Sequence, residues 1–207
     1  MLKIWGRNNS INVKKVLWIA EELGLNYENI EVGGKFGGLD TPEFLKLNPN
    51  AMIPVLEDNG FTLWESNTIM RYIAAQYGRD SFWIEDPKQR SAVEKWMDWA
   101  SEELFPLFKA ILFNSVRLAP EKRDAGILSN AIDGFEKKLS IIENELSLNL
   151  WLSGKNFGIA DIVIGTFIYY YYEIDIKRLK QFPKISEWYE RLKKRPSYAK
   201  IIMIPIN

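Results

Sequence analysis

Two short apolar runs, Ile53-Pro54-Val55-Leu56-Glu57 and Phe61-Thr62-Leu63-Trp64, flank Asp58-Asn59-Gly60, a strong hairpin signal that predicts two antiparallel strands. What surrounds this hairpin restricts the fold further. Upstream, Lys3-Ile4-Trp5 reads as a strand and leads through the polar turn Gly6 to Ser10 into a helix carrying Val13, Val16, Leu17, Ala20 and Leu23 at helical spacing, with Gly24 as its stop. A second strand is expected over Tyr27 to Val32, then a glycine-rich loop, Gly33 to Gly38, with no regular element. Thr41-Pro42-Glu43 supplies an N-cap, a first helical position and an acidic first turn for a short helix through Leu47. After the hairpin, Ser66 is the expected cap of a helix whose inward stripe is Ile69, Met70, Ile73 and Tyr77, ended by Gly78. The order β-α-β-α-β-β-α defines an α/β unit of about eighty residues.

From Pro87 onward the strand-like runs stop and long helical patterns take over. One helix is expected from Lys88 towards Arg117, kinked at Pro106, and others over Pro120 to Leu148, Ile159 to Tyr172 and Ile185 to Lys194. The expected organisation is an α/β domain over 1–78, a linker over 79–87 and an all-helical domain over 88–207.

With 207 residues, 47% of them hydrophobic, the chain is long enough for a substantial core. Basic and acidic side chains balance at 27 each, so no net field favours nucleic acid or an anionic membrane. No apolar run reaches spanning length and the first residues do not read as a signal peptide, so the expectation is a soluble, cytoplasmic protein with neither nucleic acid nor membrane as partner. The chain has no cysteine and no histidine. Disulfides, the usual zinc sites, thiol nucleophiles and Ser-His triads are therefore excluded, and no metal is expected. A reactive group would have to arrive with a bound molecule.

Three places could receive one. Ser10 stands between the first strand and the helix starting near Asn12; its hydroxyl either caps that helix or donates to an anion held at the helix N-terminus. At Ile53-Pro54 a proline opens a strand, either as a trans proline on an edge or as a cis bond presenting the Ile53 peptide groups to an extended ligand. Glu65-Ser66 pairs a carboxylate with a helix N-terminus, suited to an amino-acid head group, although capping alone also accounts for Ser66.

These pieces together resemble a cytosolic glutathione transferase along essentially the whole chain, with the bacterial serine-type, theta-like branch as the nearest likeness. The resemblance rests on Ser10-Ile11-Asn12-Val13-Lys14-Lys15-Val16, on the Asn48 to Pro54 run, on Glu65-Ser66, and on Trp151-Leu152-Ser153-Gly154 followed by Phe157 to Asp161. It implies a thioredoxin-like N-terminal domain and glutathione as co-substrate. It further implies that Ser10 is the catalytic hydroxyl, that Ile53, before a cis-Pro54, pairs with the cysteinyl part, and that Glu65 and Ser66 bind the γ-glutamyl end. Lys35 is a candidate for the glycine carboxylate. Two positions depart from the pattern: Ala51 stands where the family usually has glycine, and Gly158 stands where it has a Ser or Thr cap, with Asp161 retained.

A small electrophile is expected between the halves, lined by Trp96, Trp99, Phe113 and Tyr169, with Arg7 and Arg117 placed to meet an anionic group. Such aromatics are more often core or interface packing, and such arginines are more often solvated or paired on the surface. The resemblance also implies a homodimer and a role in detoxification. Two other activities stay open: glutathione-dependent reduction of disulfides or peroxides, for which Asn12 is the pointer, and a non-catalytic module on the same fold.

Overall fold

The computed structural model describes residues 1–79 and 81–206; Asp80, in the expected linker, and Asn207, in the expected helical domain, lie outside the described residues. The chain forms two compact units. The first joins Met1–Glu85 to Ser197–Ile204, and Asp86–Pro196 makes the body of the second. The segment Ser197–Ile204, expected with the helical domain, thus belongs to the α/β unit.

In the first unit β1 (Leu2–Trp5), β2 (Tyr27–Ile30), β3 (Val55–Asp58) and β4 (Phe61–Trp64) form one mixed sheet in the order β2-β1-β3-β4. β1 and β2 are parallel, as their helical crossover requires, and β3 runs antiparallel to both β1 and β4. Asn59 and Gly60 turn the hairpin with φ of 48° and 87°, the pair of left-handed positions for which Asn-Gly is suited. The helices are α1 (Ile11–Glu22), α2 (Pro42–Leu47) and α3 (Ser66–Tyr77), and α1 packs against α3. Ile4, Val13, Val16, Leu56, Ile69, Met70 and Ile73 are fully buried, in line with the stripes read from spacing, whereas Leu23 and Tyr77, at the ends of those stripes, are half-buried. Gly24, at φ 61°, ends α1. The glycine loop is more regular than expected, because Gly34–Phe36 form a 3-10 turn.

α9 (Pro196–Ile201) leads into the segment that completes this unit, an element the periodicity did not reveal. The Tyr198 ring meets Trp18 of α1 edge-on at 4.7 Å, and both are fully buried. Lys14 Nζ donates to the Ile202 carbonyl at 2.9 Å, Lys200 Nζ to Glu21 Oε1 at 2.7 Å, and Ser197 Oγ to Glu22. An apolar contact and polar ties on successive turns of α1 therefore hold the segment in place.

In the second unit the long helix from Pro87 is continuous through Arg117, but it is not uniform. α4 (Pro87–Trp99) passes into a π-helical turn at Ala100–Leu104, then α5 (Phe105–Leu112), then a second π turn at Phe113–Arg117. The first π turn lies just before Pro106, where the missing amide breaks the ordinary hydrogen-bond ladder. The next helix starts later than expected: Pro120–Lys122 is a 3-10 turn, and α6 (Ala125–Leu148) is capped by Asp124, which accepts from Ile127 N at 2.9 Å. α7 (Ile159–Glu173) is buried from Ile159 to Tyr171, and α8 (Pro183–Lys193) closes the unit.

Asp161 organises this helical unit. Its two carboxylate oxygens accept from Leu152 N, Ser153 N, Gly158 N and Trp188 Nε1, at 2.8–3.1 Å. Full burial pushes its pKa up, and hydrogen bonds from the Ser153 hydroxyl, the Leu152 and Ser153 amides and the Trp188 indole oppose the rise. Gly158 has an extended backbone, φ −158°, so the demand there is for space: a Cβ would stand 2.7 Å from Ser153 Oγ. That hydroxyl instead accepts from Ala160 N at 3.2 Å. Ser153 supplies from a neighbouring turn the cap that residue 158 lacks.

Candidate active site

Register brings the candidate residues to one edge of the sheet. Trp5 pairs with both Ile30 and Val55, and Val55 pairs with Trp64, so four strand ends lie in one transverse row. Adjacent strands are about 4.8 Å apart. From this row leave the Gly6 to Ser10 turn, the loop after β2 that carries Lys35, the Ile53-Pro54 approach to β3, and Glu65-Ser66 after β4. Gly6 is required at their junction: its φ is 144°, and a Cβ there would lie 2.5 Å from Val13 Cγ2 and 3.2 Å from Ile53 Cβ.

Ser10 is the N-cap residue of α1, half-buried, with the extended φ and ψ of −83° and 127° that a cap adopts. Its carbonyl accepts from Lys14 N at 2.9 Å, yet its side chain makes no capping hydrogen bond. The capping alternative thus holds for the backbone but not for the hydroxyl.

The Ile53-Pro54 peptide is cis. β3 begins at Val55, so the Ile53 peptide groups lie outside the ladder, and the Ile53 side chain packs against Gly6. Ala51, in the turn just before, has φ 54°, a left-handed conformation that an alanine adopts at a cost of about 1–2 kcal/mol.

Glu65, not Ser66, is the N-cap of α3. Ser66 is the first helical residue, 7% exposed. Glu65 holds φ 74° and ψ 111°, a sparsely populated conformation that costs on the order of 1–3 kcal/mol, and its carboxylate does not fold back onto the helix. In α2, α4 and α6 the side chains of Thr41, Asp86 and Asp124 cap the first turn; the N-cap side chains of α1, α3, α5, α7 and α8 do not. Of these, α1 and α3 follow β1 and β4 at the same sheet edge.

The remaining candidates divide between the two units. Arg7 lies against the Gly34 backbone, where a Cβ would come 2.7 Å from its Nε, and its Nη1 donates to Asn9 Oδ1 at 3.1 Å. Lys35 is exposed, its ammonium 4.9 Å from the Phe36 ring centre. Asn12 is half-buried on the first turn of α1. In the second unit Trp96 and Tyr169 are buried at 6% and 7% exposure, as packing residues are, and burial raises the Tyr169 pKa. Trp99 meets Trp96 edge-on at 5.4 Å, whereas Phe113 is exposed and Arg117, at the end of the second π turn, is half-buried with its Nε enclosed and unpartnered.

The sequence pattern did not anticipate the burial of two residues. Lys14 and Lys15 are 0% and 2% exposed, although lysine is normally solvated. Burial lowers the Lys14 pKa to about 7; it lowers that of Lys15 to about 8, against the opposing attraction of Glu65. The available signal was their three- and four-residue spacing from Ile11 and Trp18, which puts them on a buried face.

Comparison with known proteins yields consistent matches. Residues 1–75 match the family model for the glutathione S-transferase N-terminal domain, and residues 91–196 that for its C-terminal domain. The chain is 42% identical to glutathione S-transferase GstB of Escherichia coli K12, over the full length of both. It is 31% identical to glutathione S-transferase F14 of Arabidopsis thaliana, covering 97% of this chain and 80% of that one. Among solved structures, the theta class glutathione S-transferase of Xanthomonas axonopodis pv. citri with glutathione bound superposes with a TM-score of 0.96 at 40% identity, covering 100% of this chain and 99% of that one. No helix among the described residues is long and apolar enough to cross a membrane.

Proposed function

The chain belongs to the glutathione S-transferase family, and from that premise we propose that it joins the sulfur of glutathione to a small electrophile, with the Ser10 hydroxyl holding that sulfur as a thiolate. The carrying observation is the pair of uncapped helix N-termini, α1 and α3, at the sheet edge where Ser10, Ile53 and Glu65-Ser66 meet.

Each group has a distinct task in this reading. Glu65 takes the ammonium of the γ-glutamyl end, while the first amides of α3 and the Ser66 hydroxyl take its carboxylate. Ile53 pairs through its main chain with the cysteinyl part, as an added strand would. Lys35 meets the glycine carboxylate. A free thiol titrates near 8.5 and is a few per cent thiolate at neutral pH. One hydrogen bond to the charged sulfur contributes about 1.5–3 kcal/mol, equivalent to one or two pKa units when it is made only to the anion. The α1 N-terminus adds up to about 1 kcal/mol. Ser10 therefore acts as a donor, which needs no base. The thiolate forms the new carbon–sulfur bond; the electron pair leaves with the displaced group in a substitution, or ends on carbon and takes up a proton in an addition.

Ultraviolet titration of bound glutathione tests the role of Ser10. The sulfur pKa should rise by at least one unit in Ser10→Ala while glutathione affinity stays nearly constant; equal pKa values in both proteins would remove Ser10 from the mechanism. Assembly as a homodimer is the companion reading. It is supported by the exposed apolar side chains Met52, Phe61 and Trp64, the last two on edge strand β4, and light scattering at micromolar concentration tests it.

A further inference from the structure

Between α7 and α8 the chain runs through residues 174–182 without regular structure, and beside this segment lies a cleft of about 430 Å³. That volume is within the range of small-molecule sites, about 300–1,000 Å³. Tyr171, Tyr172 and Phe182 supply aromatic walls, Arg178 and Lys180 supply charge of one sign, and no Asp or Glu lines the space. Every lining residue belongs to the second unit, and none is among those placed at the sheet edge of the first.

The walls are ordered without a ligand. Arg178 donates through Nε to the Tyr171 carbonyl at 3.0 Å and through Nη2 to the Tyr171, Tyr172 and Ile174 carbonyls at 2.6–2.8 Å. A guanidinium is favoured there, at the C-terminal end of α7. It also stands over the Tyr171 ring, 5.5 Å from its centre. The Tyr172 ring stacks on Tyr189 at 4.9 Å, and its hydroxyl is bonded to Ser186 Oγ of α8 at 2.9 Å. Two glutamates bonded to these elements are committed to other donors: Glu136 accepts from Tyr171 Oη and Leu179 N, and Glu143 from Lys184 N and Ile185 N. Arg178 Nη1 makes no hydrogen bond among the described residues, and the exposed Lys180 side chain makes neither a hydrogen bond nor an ion pair among them.

We propose that this cleft is a second small-molecule site, specific for an aromatic carboxylate. The ring lies against Tyr171, Tyr172 and Phe182, and the carboxylate meets Arg178 Nη1 and the Lys180 ammonium. With Nε and Nη2 committed to carbonyls, the guanidinium cannot grip an oxyanion with two parallel bonds, so it takes one oxygen. Lys180, a point charge on a flexible stem, takes the other. This pairing suits a singly charged planar head group better than a phosphate. Because Arg178 is already held in place, binding spends little entropy on ordering it.

Calorimetric titration of the full chain with 2-naphthoate tests the site, with saturating S-hexylglutathione present to fill the proposed glutathione and electrophile sites. One 2-naphthoate should bind per chain with a Kd on the order of 100 μM. The uncharged 2-naphthamide should bind about tenfold more weakly or less, because it lacks the charge-assisted bonds. Lys180→Glu should weaken 2-naphthoate by about tenfold or more while leaving kcat/KM for glutathione within about twofold of wild type. No binding at millimolar 2-naphthoate, equal affinity for the acid and the amide, or equal affinity in wild type and Lys180→Glu overturns the proposal. So does displacement of 2-naphthoate by S-hexylglutathione, which would assign the carboxylate to the glutathione site instead. Urea midpoints accompany the variant, and the comparison of acid with amide, made on the unaltered chain, decides the matter if Lys180→Glu does not fold.

Discussion

Replacing Lys14 with methionine removes an ammonium from the buried face of α1 at nearly constant length. In the unfolded chain this lysine titrates near 10.5, and in the folded protein burial lowers it to about 7. Between those values the unfolded chain binds more protons than the folded one, so stability rises with pH across the window. Integrated from pH 7 to pH 9, this one group raises stability by about 2 kcal/mol, with a slope approaching about 1.4 kcal/mol per pH unit. Lys14 is fully buried, so solvent screening takes little from that figure. The bond to the Ile202 carbonyl, worth about 1 kcal/mol, is lost from the variant at every pH and sets an offset. Lys15 has a slope of the same sign, but it is present in both proteins and cancels. The measurement is urea unfolding of wild type and Lys14→Met at pH 7, 8 and 9 at fixed ionic strength. The stability of wild type relative to the variant should increase by about 2 kcal/mol across the series. Parallel pH dependences would refute the reasoning, because they would mean that Lys14 keeps an ordinary pKa and is solvated.

Two further predictions concern the positions that depart from the family pattern. Ser153→Ala should cost about 1 kcal/mol by removing the cap on Ala160 N. Gly158→Ser should destabilise both the wild type and the Ser153→Ala protein, because its Cβ would stand 2.7 Å from Ser153 Oγ and 2.8 Å from Ser153 Cβ, and alanine keeps the second of these atoms; thermal melts of the four proteins check this, and a Gly158→Ser change that restores stability in the Ser153→Ala background would count against it. Ala51→Gly should stabilise the protein by about 1 kcal/mol by relieving a left-handed alanine, visible as an increase in the urea midpoint.

The α/β unit was legible because its punctuation is local. Asn59-Gly60, Gly24, and Thr41 with Pro42 each act on the chain within a few residues, and the inward stripes of α1 and α3 follow one period. α9 escaped because six residues that begin with a proline carry too few apolar positions to show a period, and Tyr198 and Ile202 find their partners only in the folded chain. The two π turns escaped for another reason: an extra residue per turn shifts the phase without altering composition. Ser66 was read as a cap because serine is a better capping residue than glutamate, whereas the structure places Glu65 there in a conformation no propensity favours. The strand-end residues of the site were readable as motifs, but only register shows that they share an edge. Lys14 and Lys15 were invisible in kind, since a lysine is read as solvated until its environment is known.

The first unit is discontinuous in the chain, and this gives its formation a timetable. Residues 197–204, which cover Trp18 and satisfy Lys14, are synthesised about 110 residues after the rest of their unit. At roughly 5–20 residues per second, translation separates the two parts by about 6–20 s. Throughout that interval a nascent α1 has one face uncovered, with an indole and an ammonium still exposed to solvent. The helix that begins at Ser10 would then be among the first elements to form and among the last to be finished.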